Sequence, residues 1–141
     1  MPGSRSINIA EKIIKASSLY ETAAWGKEDQ PSFLNQALEI ETALATQQLL
    51  KQLLKIEKKI GRVRKEKNGP RVIDIDILLF NNDIINENDL KVPHPELQNR
   101  RFALTPLAEI ASNIIHPAFK KSILELLKLC PDTLEVKRQK D

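Results

Sequence analysis

Residues 69–80, Gly69-Pro70-Arg71-Val72-Ile73-Asp74-Ile75-Asp76-Ile77-Leu78-Leu79-Phe80, place two aspartates inside an otherwise apolar run. Val72, Ile73, Ile75, Ile77, Leu78, Leu79 and Phe80 are β-branched, aliphatic or aromatic, and they predict a strand buried on at least one face. Side chains alternate across a strand, so Asp74 and Asp76 share a face, roughly 6–7 Å apart along it. Ile73, Ile75 and Ile77 then point the other way, into a core. Two carboxylates this close repel one another and are costly to desolvate unless a cation lies between them. The plainer reading is a pair of aspartates on the wet face of a half-buried strand. The residues around the strand decide between the two.

The chain has 141 residues, enough for one domain with a real core and too few for two ordinary ones. Its 41% hydrophobic and 29% charged content is that of a soluble globular protein. A net charge of +3, from 22 basic and 19 acidic residues, is too weak to indicate nucleic-acid or membrane binding by itself. The single cysteine, Cys130, excludes an internal disulfide and a cysteine-rich zinc site, and within LKLCP it reads as a small core residue. No apolar run approaches the ~18 residues of a membrane span. MPGSRSINIAEK has no hydrophobic signal core. The expectation is a cytoplasmic, single-domain protein over 1–141, with residues 1–6 as a flexible leader.

Working outward from the aspartates, Thr46 is expected to cap a helix through about Ile60. Leu49, Leu50, Leu53, Leu54, Ile56 and Ile60 keep helical spacing, Lys51, Lys55, Lys58 and Lys59 stay outside, and Gly61 supplies the stop. Before it, residues 12–20 read as one strand and 21–31 as a loop. Residues 33–42 read as a second strand, with Leu34, Leu38 and Ile40 on one face. After the aspartates, residues 81–88 form a turn with a short return segment, and KVPHPELQ is irregular. ALTPLAEIAS is a short helix with Pro106 in its first turn. Ser122 caps a last helix, ILELLKL, which Pro131 ends, and the tail EVKRQKD frays. The order strand, strand, helix, strand, helices predicts an α+β fold, mainly antiparallel, with helices packed on the sheet.

Four arginines flank the carboxylates: Arg62 and Arg64 before the strand, Arg71 at its mouth, and Arg100 after it. A hard cation such as Mg²⁺ takes oxygen ligands, commonly one or two carboxylates plus substrate phosphates. Guanidinium forks bind phosphate oxygens in bidentate fashion and stabilise charge as a phosphoryl group moves. His94, framed by Pro93 and Pro95, could donate to a phosphate. The pattern points to metal-assisted phosphoryl transfer or nucleotide binding, without a P-loop, since none of the four glycines opens a GKS or GKT motif. The plainer alternative for each arginine is solvated charge, paired with Glu57 or Glu66. Trp25 and Phe33 adjoin a polar loop and Asn35, where a flat heterocycle could stack, or they are ordinary packing.

The run GPRVIDIDILLFNNDIINENDLKVPHPELQNRRFALTPLAEIA resembles the signature region of the 6-hydroxymethyl-7,8-dihydropterin pyrophosphokinase family of folate biosynthesis. SSLYETAAWG, DQPSFLNQALEIET and LLKIEKKIGRVR are similar to that family's earlier segments, in the same order, so the resemblance covers about Ser17 to Ala111. It implies a ferredoxin-like sandwich and an enzyme that moves the β,γ-pyrophosphate of ATP to the pterin hydroxymethyl group. By the same resemblance Asp74 and Asp76 hold two Mg²⁺ ions. Arg62 and Arg71 contact phosphates in or beside a mobile catalytic loop. Glu57, Arg64, Ile77, His94 and Arg100 belong to the ATP site. Thr22, Trp25, Gly26, Phe33, Asn35 and Phe102 belong to the pterin pocket, with Asn35 on the pterin's amide edge. Partners are the two small substrates, with no nucleic acid and no membrane, and the state is a monomer unless another chain supplies a strand.

Two departures accompany the resemblance. Asn68 stands where the family commonly has a tryptophan that helps close the lid. The family opens with a strand ending near a GSN motif and a long helix, which MPGSRSINIAEK does not supply, so the first strand and helix are expected to be missing or filled by another segment. Two other function classes remain beside the enzyme. One is a non-catalytic ferredoxin-like module that binds nucleotide without turnover. The other is an RNA-binding sheet, which the lack of stacking aromatics on its strands disfavours.

Overall fold

The computed structural model describes residues 11–22, 33–64 and 74–139, with the backbone alone for residue 11 and residues 61–64. The order of elements is β1 (Glu11–Ala16), β2 (Tyr20–Thr22), β3 (Phe33–Asn35), β4 (Leu38–Thr42) and α1 (Thr46–Arg64). It continues through β5 (Ile85–Glu87), β6 (Leu90–Val92), a 3-10 turn (Leu97–Asn99), α2 (Arg101–Ala111), α3 (Ile123–Leu129) and β7 (Val136–Arg138). Among the described residues every strand pair is antiparallel, and the expected α+β class stands.

The strands form three small sheets among the described residues: β1 with β4, β3-β2-β7 with β2 central, and the β5–β6 hairpin. In the first, Lys12 lies opposite Glu41 and Lys15 opposite Glu39, with an irregularity between Ile13 and Lys15. Opposite charges across a ladder contribute about 0.2–1 kcal/mol per pair. The hairpin turns on Asn88 and Asp89, residues whose short side chains favour turns.

Several expectations are corrected. The single strand expected over 12–20 ends at Ala16, and β2 begins at Tyr20 and takes in Glu21 and Thr22 from the expected loop. The break arises because Ser17 leaves the ladder: its N–H donates to the Ala37 carbonyl (2.9 Å) and its hydroxyl to the Ser18 carbonyl (2.7 Å). Residues 33–42 likewise break at Gln36 and Ala37, where the Ala37 N–H returns a bond to Ser17 Oγ (2.9 Å). That break ends the predicted alternation: Ala37 is buried, while Leu34 (54% exposed) and Leu38 (49% exposed) face out. The tail does not fray at 136–138; β7 pairs with β2, Thr22 opposite Val136 and Tyr20 opposite Arg138.

Helix α1 runs past Gly61 to Arg64. A glycine inside a helix costs about 1 kcal/mol relative to alanine, which permits a stop without enforcing one. Thr46 is the first helical residue rather than its cap, and Gln48 Oε1 accepts from the Ala45 N–H (2.9 Å), closing the entry from the other side. Helix α2 starts at Arg101, so Pro106 sits in its interior, where it cannot donate to the Phe102 carbonyl four residues back. At α3 the predicted Ser122 cap is present as a full capping box with Glu125.

The core gathers between α2, α3 and the 3-10 turn. Leu97, Leu104 and Ile123 are fully buried, with Leu107, Leu126 and Ala37 beside them, and Leu78, Leu79 and Cys130 pack on this cluster in part. Cys130 thus takes the packing role expected of it. No helix among the described residues is long and apolar enough to cross a membrane.

Candidate functional site

The aspartate segment differs from its prediction in one respect. Residues 74–80 belong to no ladder among the described residues. Exposure still alternates as on a strand: Asp74 and Asp76 are exposed, Ile75 and Ile77 half-buried. Hydrophobic sequence placed these side chains correctly, but a ladder also needs a neighbouring backbone, and none of the described strands lies in register with this one.

Three other anchors hold the segment. Leu78 and Leu79 pack against the core. The Leu78 carbonyl accepts from the His94 N–H (2.9 Å). On α1, Glu57 Oε2 accepts a hydrogen bond from the N–H of Ile75, the residue between the two aspartates. A helix carboxylate therefore meets the backbone where the aspartates project. Among the described residues no group of three His, Cys, Asp or Glu side chains is arranged to hold a metal ion. The two exposed aspartates suit a cation that takes the rest of its oxygen ligands from a substrate and water, as Mg²⁺ does.

His94 is half-buried in the turn that follows β6. Its Nδ1 accepts from the Glu96 N–H (3.1 Å) and its carbonyl from the Leu97 N–H (3.1 Å). An Nδ1 that accepts leaves the proton of neutral imidazole on Nε2, so Nε2–H is the donor that a ligand can use.

Arg100 links the 3-10 turn to α2. Its N–H bonds to the Leu97 carbonyl (3.2 Å), and its own carbonyl accepts from Ala103 and Leu104 (both 3.0 Å). This fixed backbone sets the guanidinium carbon 5.8 Å from the centroid of the Phe102 ring, a cation–π distance. The first N–H of α2, on Arg101, is satisfied by Asp132 Oδ2 at 3.2 Å, an acid suited to a helix N-terminus. Asp132 was not legible as part of this arrangement, since it lies 31 residues further on and no local spacing marks it.

On the sheet, Thr22 pairs with Phe33, and Tyr20 pairs with Asn35. Thr22 is only 3% exposed, and its Oγ1 has no hydrogen-bond partner among the described residues. Phe33 is 47% exposed, Asn35 half-buried and Phe102 half-buried. Trp25, Gly26, Asn68 and Arg71 lie outside the described residues, as do the side chains of Arg62 and Arg64, whose backbone forms the last turn of α1. A concavity of about 410 Å³ lies elsewhere, lined by Arg101, Cys130, Asp132, Thr133, Glu135 and Val136. None of the sequence-predicted site residues lines it.

In this α+β chain Asp74 and Asp76 are exposed on either side of the Ile75 N–H that Glu57 accepts, His94 engages the Glu96 N–H through Nδ1, and the Arg100 guanidinium lies near the Phe102 ring. The family model of 7,8-dihydro-6-hydroxymethylpterin-pyrophosphokinase matches residues 3–112, and the chain belongs to that family. It is similar to the 2-amino-4-hydroxy-6-hydroxymethyldihydropteridine pyrophosphokinase of Aquifex aeolicus, 48% identical over 81% of this chain and 71% of that protein. The proteins of the same name from Haemophilus influenzae (40% identical, 89% and 78% covered) and Bacillus subtilis (48%, 74% and 63%) are similar as well.

Proposed function

We propose that this protein transfers pyrophosphate from ATP to 6-hydroxymethyl-7,8-dihydropterin in folate biosynthesis. The hydroxymethyl oxygen of the pterin attacks the β-phosphorus of ATP and loses its proton. The bond from that phosphorus to the oxygen shared with the α-phosphorus breaks, AMP leaves, and the pterin diphosphate remains. The observation that carries this reading is the family match over residues 3–112, which includes every candidate site residue.

In this reading Asp74 and Asp76 would hold Mg²⁺, two ions in all, which supply neutralisation of the phosphate charge when bound. Glu57, Arg64, Ile77, His94 and Arg100 bind ATP, with His94 Nε2–H and the Arg100 fork as phosphate donors. Arg62 and Arg71 stabilise the charge that develops as the phosphoryl bond breaks. Phe102 is one of the aromatics that sandwich the pterin, with Thr22, Trp25, Gly26 and Phe33 at the pocket wall. Asn35 bonds its amide edge, and Thr22 Oγ1 at the far end of β2, without a partner among the described residues, supports a ligand on that side. Positioning and charge neutralisation carry such a transfer without a covalent intermediate. The antiparallel strands, with α2 packed against β2, β3, β4 and β7, support a ferredoxin-like sandwich.

The test is AMP release from ATP, Mg²⁺ and the hydroxymethyl-dihydropterin, with Asp74→Ala and Asp76→Ala beside the wild-type chain. The wild type is expected to release AMP in step with pterin diphosphate, and both variants to lose this. Mg²⁺-dependent ATP binding by the wild type with no AMP release would instead support the non-catalytic module.

A further inference from the structure

Glu109 lies outside every residue set named above, yet its carboxylate accepts three hydrogen bonds. Oε1 takes the Tyr20 hydroxyl at 2.8 Å and the Ser18 N–H at 3.0 Å, and Oε2 takes the Ser18 hydroxyl at 3.2 Å. The Tyr20 bond, followed by the Ser18 N–H, holds the Glu109 carboxyl below the usual carboxylate range. Burial, then the same bond, pushes the Tyr20 phenol up. At neutral pH the pair is therefore a carboxylate accepting from a neutral phenol. Arg138, opposite Tyr20 in the β2–β7 ladder, adds an attractive charge.

The two ends of this clamp matter. Glu109 and Phe102 are seven residues apart on α2, which at 3.6 residues per turn returns to nearly the same helix face about 10 Å along the axis. Tyr20 is the ladder partner of Asn35, and Thr22 is two residues further along β2. One carboxylate thus joins the helix face that carries Phe102 to the strand pair that carries Thr22 and Asn35. Helix α2 packs against β2 and β3, so its rotation and axial position decide where Phe102 stands relative to them.

We propose that Glu109 is a positioning residue that holds Phe102 of α2 in register with Thr22 and Asn35, and so sets affinity for the pterin. This rests on the pterin pyrophosphokinase reading. The experiment measures dissociation constants of fluorescent 6-hydroxymethylpterin, with Mg²⁺ and a non-hydrolysable ATP analogue present, and of that analogue alone. Glu109→Ala is expected to weaken pterin binding about tenfold and Tyr20→Phe about threefold, less than the full worth of hydrogen bonds to a charged group because the clamp acts on the ligand only through the position of α2. Nucleotide affinity is expected to stay within about twofold. Glu109→Gln, whose amide oxygen still accepts from Tyr20 and Ser18, is expected to restore pterin binding to within about twofold of wild type. Unchanged pterin affinity in Glu109→Ala, or equal weakening of both ligands, overturns the positioning role. If that variant does not fold, Tyr20→Phe decides by the same criterion. A wild-type chain that binds nucleotide but no pterin overturns the functional reading itself, and the positioning role with it.

Discussion

Glu57 on α1 accepts a hydrogen bond from the backbone N–H of Ile75, which separates Asp74 from Asp76. The bond ties a helix to the aspartate segment at a point where no ladder supports it among the described residues. Removing the acceptor leaves a part-buried N–H unpaired, a loss of about 1–3 kcal/mol. Glu57→Ala is therefore expected to lower the urea midpoint and to weaken Mg²⁺–ATP binding. Glu57→Gln keeps an acceptor oxygen and is expected to retain most of both. Identical midpoints for the two variants would show that the acceptor role is wrong.

Thr22 buries a hydroxyl without a partner among the described residues. A buried hydroxyl without a hydrogen bond costs about 1–3 kcal/mol in proteins. Thr22→Val, nearly the same shape, is expected to leave the ligand-free protein as stable as wild type or more so. The same change is expected to weaken pterin binding, which titration calorimetry would measure. A clear drop in stability with pterin affinity intact would place the partner of Oγ1 within the protein.

Local chemistry made some of this architecture legible and left the rest out of reach. The Ser122 cap three residues before Glu125 is a short-range signal, and it appears as read. The parity of Asp74 and Asp76 follows from alternation, and both are exposed. What escaped depends on contacts far apart in sequence. Ser17 and Ala37 exchange bonds that split two predicted strands. Val136 finds β2 more than a hundred residues away. The Glu109 clamp spans 89 to 91 residues, and a glutamate on a helix gives no sign of its acceptors' partners.

Ser122 and Glu125 close a reciprocal cap on a helix of only 7 residues. So short a helix has little intrinsic stability, so its end groups count for more. Ser122→Ala is expected to cost about 1 kcal/mol. Because Ile123 and Leu126 of the same helix belong to the core, the loss should appear in global unfolding by urea rather than as local fraying. A wild-type midpoint in the variant would mean that packing alone fixes this turn.

His94 offers a separation of its two nitrogens. Nδ1 is engaged by the Glu96 N–H, so Nε2 is the donor left for a phosphate. Asparagine places an oxygen near the Nδ1 position and lacks the distal donor, whereas glutamine reaches the Nε2 position with an N–H. A hydrogen bond to a charged group is worth about 1.5–3 kcal/mol, or roughly ten- to a hundredfold in affinity. His94→Asn is expected to lose about that much affinity for Mg²⁺–ATP, and His94→Gln considerably less. The reverse order would assign the contact to Nδ1.

His116 supplies the pH dependence. It is 2% exposed, its ring lies 4.6 Å from that of Phe119 in a tilted pair, and its Nδ1 accepts from the N–H groups of Ala118 and Phe119, both at 3.1 Å. Burial holds its pKa below 6.5 in the folded state. The unfolded chain, with an ordinary histidine, then binds a proton at higher pH than the native chain does. Stability therefore falls as pH drops through about 6.5 towards the lowered native value, and it is fully present above that window. Glu109 and Glu125, whose carboxyls are lowered by hydrogen bonds, act only at more acidic pH, where their contribution is lost as they protonate. Urea midpoints at pH 5 and pH 8 should thus differ, with pH 5 the lower. In His116→Asn an oxygen replaces Nδ1 as acceptor and nothing titrates there, so the difference between the two pH values should shrink. An unchanged difference in that variant would assign the pH dependence to other groups.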